Sequence, residues 1–157
     1  MRTSLLALLP LVALAADAHA QDRKHYPGNM CRVASTSYFD NDGRVANTAA
    51  TSQKFECPII RDNVNIQRTW VYYKDLSATD GVKCRLKTGK IDDASGTAYW
   101  FEDAASGNAD VNSTPAYLTF VDQPNIPDGY YSLRCYLPGV TSAGQSAIVK
   151  YLVAEVE

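Results

Sequence analysis

Downstream of residue 30 the chain alternates apolar and polar positions over short stretches, each closed by turn chemistry. Val82, Cys84 and Leu86 alternate with Lys83, Arg85 and Lys87, the pattern of a strand with one buried face, because residues two apart share a face of a sheet. Tyr131, Leu133, Cys135 and Leu137 repeat it, and Phe55, Cys57 and Ile59 do so over a shorter run. Pro58 in that run cannot donate to a ladder and points to an edge or a bulge. Residues 66–76 are dense in β-branched and aromatic side chains and predict a strand covered on both faces. Further extended segments are predicted over 31–39, 44–50, 97–102, 116–121 and 147–156. Asp40-Asn41-Asp42-Gly43, Thr79-Asp80-Gly81 and Ser106-Gly107-Asn108 supply the turns between strands. No stretch sustains a helical period and none repeats at a fixed interval. About eight short strands with turns every 8–12 residues predict an all-β fold, an antiparallel immunoglobulin-like or Greek-key β-sandwich.

The first twenty residues do not belong to that pattern. A short basic start, an apolar run from Leu5 to Ala16 and small residues at Ala18 and Ala20 predict a secretory signal cleaved after Ala20. The run is too short to span a bilayer, which takes roughly 20 residues, and no other segment approaches that length. About 137 residues then remain, enough for one domain with its own core. Residues 21–29, with Pro27-Gly28, are expected to form a flexible start, and 30–157 a single sandwich domain. The signal removes Arg2 and Asp17 together, so the net charge stays at −2. That balance provides no electrostatic footprint for nucleic acid or an anionic membrane.

Four cysteines, Cys31, Cys57, Cys84 and Cys135, follow the signal, and an even number in an exported chain predicts two disulfides. Three connectivities are open. The local patterns favour Cys31–Cys57, both in the amino-terminal third, with Cys84–Cys135, each at the centre of an alternating strand. Zinc needs close ligand pairs, but the cysteines are 26, 27 and 51 residues apart and His25 is the one imidazole beyond the signal. No cofactor motif is present, so no cofactor is expected.

Cys84 and Cys135 with Trp100 between them resemble the immunoglobulin arrangement at the level of architecture. Leu133 stands where those domains carry a tyrosine two residues before the second cysteine. A wider resemblance rests on Gly28 to Cys31, Arg44-Val45-Ala46-Asn47, Glu56-Cys57-Pro58-Ile59, Val82-Lys83-Cys84-Arg85-Leu86, the run Gly129 to Pro138 and Ala147-Ile148-Val149-Lys150-Tyr151. Together they resemble a group of small secreted bacterial proteins with four cysteines. The resemblance implies a bacterial extracytoplasmic protein with structural cysteines, and carries no catalytic residues with it.

Histidine-based triads and cysteine nucleophiles need a base or a free thiol that this chain does not offer, with His25 alone near the amino terminus and all cysteines expected oxidised. Carboxylate chemistry on carbohydrate would draw on Glu56, Glu102 and Asp103, with strand-borne Glu102 the best single candidate. Asp40 and Asp42 have the oxygen-rich setting of a calcium loop, but without the twelve-residue frame a hairpin turn is the expectation. Asn112-Ser113-Thr114 matches a glycosylation acceptor and is read as coincidence. Ten tyrosines are the compositional excess. Rings with a polar tip suit sugars and protein surfaces alike, which makes Tyr72, Tyr99, Tyr117, Tyr130 and Tyr136 the candidate ligand-binding residues. The expected function is non-enzymatic: a binding, adhesion or envelope-associated module with a protein or glycan partner. The alternatives are an inhibitor or effector presenting Pro124–Pro127 or Ser77–Gly81, and an enzyme using Glu102.

Overall fold

The computed structural model describes residues 22–33, 37–39, 42–60, 62, 65–92, 96–105, 112–121 and 129–156. For 37–39, 90–92, 96–105, 112–114 and 156 it describes the backbone alone. The expected signal, Asp40 and the Pro124–Pro127 loop lie outside these residues.

The described residues form ten strands: β1 (Asp22–Pro27), β2 (Ser37–Phe39), β3 (Val45–Asn47), β4 (Gln53–Ile59), β5 (Asn65–Asp75), β6 (Lys83–Asp92), β7 (Gly96–Ala105), β8 (Asn112–Val121), β9 (Tyr130–Leu137) and β10 (Ala147–Val156). They make two antiparallel sheets. One runs β2-β3-β10-β5-β8, with β1 also paired to β10; the other runs β4-β9-β6-β7. The chain crosses between sheets at most connections, and only β2-β3 and β6-β7 are sequence neighbours that pair.

The alternation explains the core. In β9 the burial pattern buries Tyr131, Leu133, Cys135 and Leu137 and leaves Tyr130, Arg134 and Tyr136 outside; in β5 it buries Ile66, Thr69, Val71, Tyr73 and Asp75. Phe55, Leu86 and Leu133 of one sheet meet Val71, Phe120 and Ile148 of the other in one buried cluster. Each such side chain contributes about 1.5–3 kcal/mol by leaving water.

Two expectations are corrected. Asp22–Pro27, read as part of a flexible start, is a strand, with Asp22 to Pro27 registered against Glu155 to Lys150. The signal for it was weak because Asp22, Arg23, Lys24 and His25 carry no alternating apolar set; what holds the strand is the edge of β10 and the burial of Tyr26. Second, of the strand expected over 31–39, Ser37–Phe39 is formed, residues 31–33 hold only an isolated bridge from Arg32 to Glu56, and 34–36 lie outside the described residues.

The disulfides join Cys31 to Cys57 and Cys84 to Cys135. Cys84 and Cys135 are direct register partners on β6 and β9. This bridge therefore lies within one sheet, whereas the immunoglobulin bridge joins two. Buried polar groups pin the strand ends. The Asn47 amide donates to the carbonyls of Leu137 and Pro138, at 3.1 and 2.8 Å, and so ties β3 to the end of β9 in the opposite sheet. The Asp75 carboxylate accepts from the Ser77 and Val82 amides and the Ser146 hydroxyl, at 3.1, 2.9 and 3.1 Å.

Candidate functional site

Three aromatic residues, Trp70, Tyr72 and Tyr117, stand together on the outer face of the larger sheet. Register sets three rows across β1, β10, β5 and β8: Arg23, Ala154, Arg68 and Val121; His25, Leu152, Trp70 and Thr119; and Pro27, Lys150, Tyr72 and Tyr117. Strands lie about 4.8 Å apart and alternate residues about 6.8 Å apart, so these rows cover a patch about 14 Å on a side. An irregularity between Ile148 and Lys150 keeps the rows aligned by setting Val149 outside the register, which brings Lys150 opposite Tyr72 while Ile148 stays inward.

The rings and cations of this face touch. Tyr72 and Tyr117 have centroids 5.7 Å apart with planes at 43°. The Lys150 ammonium lies 4.9 Å from the Tyr72 centroid, and the Arg23 and Arg68 guanidinium groups lie 5.8 and 5.7 Å from the Trp70 ring. All three are cation–π distances. Tyr117 is the ring most open to solvent, at 59%. Trp70 and Tyr72 are half-buried beneath their cationic neighbours.

Of the five candidate tyrosines, the structure brings together Tyr72 and Tyr117 and not the rest. Tyr130 and Tyr136 are exposed on β9, in the other sheet. Tyr99 pairs with Gly89 at the edge of that sheet, and its side chain is outside the described residues. Trp70, absent from the sequence-derived set, carries a readable signal: it stands two residues before Tyr72 and must share its face. Arg23 and Lys150 carry no such signal, because their arrival beside Trp70 and Tyr72 depends on which strands pair.

The smaller sheet's outer face is different in kind. Arg134 Nε donates to Glu56 Oε1 at 2.6 Å and Lys54 approaches the same oxygen at 3.7 Å, so Glu56 is held between two cations. A groove of about 440 Å³ beside the Cys31–Cys57 bridge is lined by Met30, Arg32, Glu56, Cys57, Pro58 and Ser132.

At the edge of the larger sheet, Asp22, Asp62 and Glu155 bring carboxylate oxygens within 4.8 Å of one another. Lys24 supplies positive charge there, 2.8 Å from Asp62 and 3.0 Å from the buried Glu155. Burial alone would lower the lysine, but its hydrogen bonds to Asp62 and Glu155 outweigh this and hold it above the usual lysine range. Asp42, from the turn considered for calcium, is exposed and pairs with Arg44 at 3.3 Å. Glu102 is the register partner of Leu86, with its side chain outside the described residues. The Ser77–Gly81 segment, considered as a presented loop, is anchored: Ser77 is buried and its hydroxyl receives the Asp80 amide at 3.1 Å.

No family model and no curated protein sequence matches this chain. Among solved structures, the xylan-binding module CBM15 aligns over 86% of this chain and 97% of its own, at 13% identity and a TM-score of 0.54. A low-affinity xylan-binding module, CBM86 from Roseburia intestinalis, covers 87% of this chain and 96% of its own at 13% identity and a TM-score of 0.45. A family two carbohydrate esterase from Cellvibrio japonicus aligns at 7% identity and a TM-score of 0.49, and this chain spans 34% of its length. The likeness to CBM15 is one of fold.

Proposed function

We propose that this protein is a non-enzymatic glycan-binding module that holds a polysaccharide across the outer face of the larger sheet. The observation that carries the reading is the assembly of Trp70, Tyr72 and Tyr117 on one face of a sandwich. Sugar rings present apolar C–H faces with polar edges, and aromatic side chains flanked by donors match both. The fold shared with CBM15 supports the reading, since that structure is a xylan-binding module. Two disulfides fit an extracellular or periplasmic compartment, where polysaccharide is met, and among the described residues no helix is long and apolar enough to cross a membrane.

Affinity electrophoresis and calorimetry against a panel of neutral and charged polysaccharides test this. Retardation by at least one polymer without release of reducing sugar is expected. Tyr117→Ala and Trp70→Ala should each weaken it about tenfold or more, and Tyr136→Ala on the opposite sheet should leave it unchanged. Binding to no polymer, or equal sensitivity to changes on the two faces, would overturn the proposal.

A further inference from the structure

We infer that the polysaccharide taken by this face is an acidic one, a uronate-bearing chain whose carboxylates are met by Arg68, Lys74 and Lys150. The inference rests on the reading of the face as a glycan platform and adds the class of glycan.

The charge distribution carries it. At the outward register positions of β1, β10, β5 and β8 the charged residues are Arg23, Lys150, Arg68 and Lys74, and no aspartate or glutamate stands among them. The whole chain has 17 acidic against 15 basic residues, so cations without acids at these described positions depart from the composition of the chain. On the other outer face Glu56 stands between Arg134 and Lys54, so an acidic group is set among the cations there. The acidic groups near β1 are likewise engaged, with Lys24 drawn to Asp62 and Glu155 at the sheet edge.

The cations are also placed in a way that suits a carboxylate. Arg23 and Arg68 lie over Trp70 and Lys150 over Tyr72, so ring contact restrains long side chains that would otherwise lose rotamer freedom on binding. A guanidinium fork takes a carboxylate through two parallel hydrogen bonds, and its ring neighbour lowers the local dielectric in which they form. Of the three rings Tyr117 is the most exposed, while Trp70 and Tyr72 are half-buried. A sugar on Tyr117 has Lys150 and Tyr72 in its own row and Arg68 two rows along. A nucleic-acid strand would also answer aromatic rings with cations, and an oligonucleotide probe separates the two.

Calorimetry with the full mature chain tests this with three probes: polygalacturonate, the same polymer with its carboxyls reduced to alcohols, and a single-stranded oligonucleotide. Polygalacturonate is expected to bind at least about tenfold more tightly than its reduced form, with an affinity that falls as salt is raised. In Arg68→Gln and Lys150→Gln that advantage should shrink severalfold, the loss falling on polygalacturonate more than on the reduced polymer. Circular dichroism checks that both variants fold. Equal binding of the two polymers would overturn the acidic preference and leave the glycan reading standing. Binding of the oligonucleotide as tightly as polygalacturonate would reduce the face to bare charge and overturn it too. Binding to none of the three, together with failure on the wider polysaccharide panel, would remove both readings.

Discussion

Tyr26 and Tyr151 stack face to face, with centroids 4.8 Å apart and planes 8° from parallel. They are register partners on β1 and β10, and both point into the sandwich. Their hydroxyls reach the same stretch of chain at the end of β4: Tyr151 donates to the Pro58 carbonyl at 2.6 Å and Tyr26 to the Ile60 carbonyl at 2.5 Å. One stacked pair thus holds β1, β10 and the end of an opposing strand.

Alkaline pH should weaken this clamp. Burial raises both hydroxyls above the ordinary tyrosine range, and the neighbouring Tyr26 adds to the rise at Tyr151. Above pH about 10 the unfolded chain gives up protons that the folded chain keeps, so stability is full below that value and falls as pH rises. Each tyrosine contributes a slope of up to about 1.4 kcal/mol per pH unit. Urea unfolding from pH 8 to 11 should show the decline, and Tyr151→Phe should flatten it while costing about 1–3 kcal/mol at pH 8 through the unpaired carbonyl of Pro58.

Lys24 is expected to matter more for stability than a partly exposed lysine ordinarily does. Its partner Glu155 is 1% exposed in its side chain, and Glu155 Oε1 has no hydrogen-bond partner. Lys24→Met leaves that carboxylate buried beside Asp62 and Asp22 and should cost about 2–4 kcal/mol. Adding Glu155→Gln should recover much of the loss. A double-mutant cycle by chemical denaturation measures the coupling; additive effects would show that the pair contributes nothing.

Gly28 is required by close approach. A β-carbon built there would fall 2.1 Å from the Ile148 carbonyl oxygen, and β10 is held on its other side by β5. Gly28→Ala should destabilise by about 1–3 kcal/mol. Hydrogen exchange should place the loosening at β1 and its ladder with β10 before the β6-β9 ladder is affected.

The Cys84–Cys135 bridge spans 51 residues and Cys31–Cys57 spans 26. Loop-closure entropy assigns them about 4 and about 3.5 kcal/mol respectively. Cys84→Ala/Cys135→Ala is expected to lose about 2–4 kcal/mol and still fold, since the two strands pair along seven register positions. Thermal unfolding with and without reductant checks this, and an unchanged midpoint would mean the bridge is dispensable.

Much of the fold was legible because alternation is local. Val82-Cys84-Leu86 and Tyr131-Leu133-Cys135-Leu137 face inward as their period of two requires. Strand β1 was not legible, because Asp22 to His25 show no apolar alternation and gain their place from the free edge of β10. The candidate site was legible in part. Tyr72 and Tyr117 were identified one by one for their chemistry, but their neighbourhood depends on β5 pairing β8, two strands separated in sequence by β6 and β7.

The sequence by itself determined the all-β class and the inward or outward sense of strand residues, because both follow from the geometry of a single extended strand. Only the tertiary structure decided that Trp70, Tyr72 and Tyr117 share a face with Arg23, Arg68 and Lys150, and that Tyr130 and Tyr136 do not. Strand order is a property of the whole chain, set by which edges can pair and which faces can be buried together, and no local pattern encodes it.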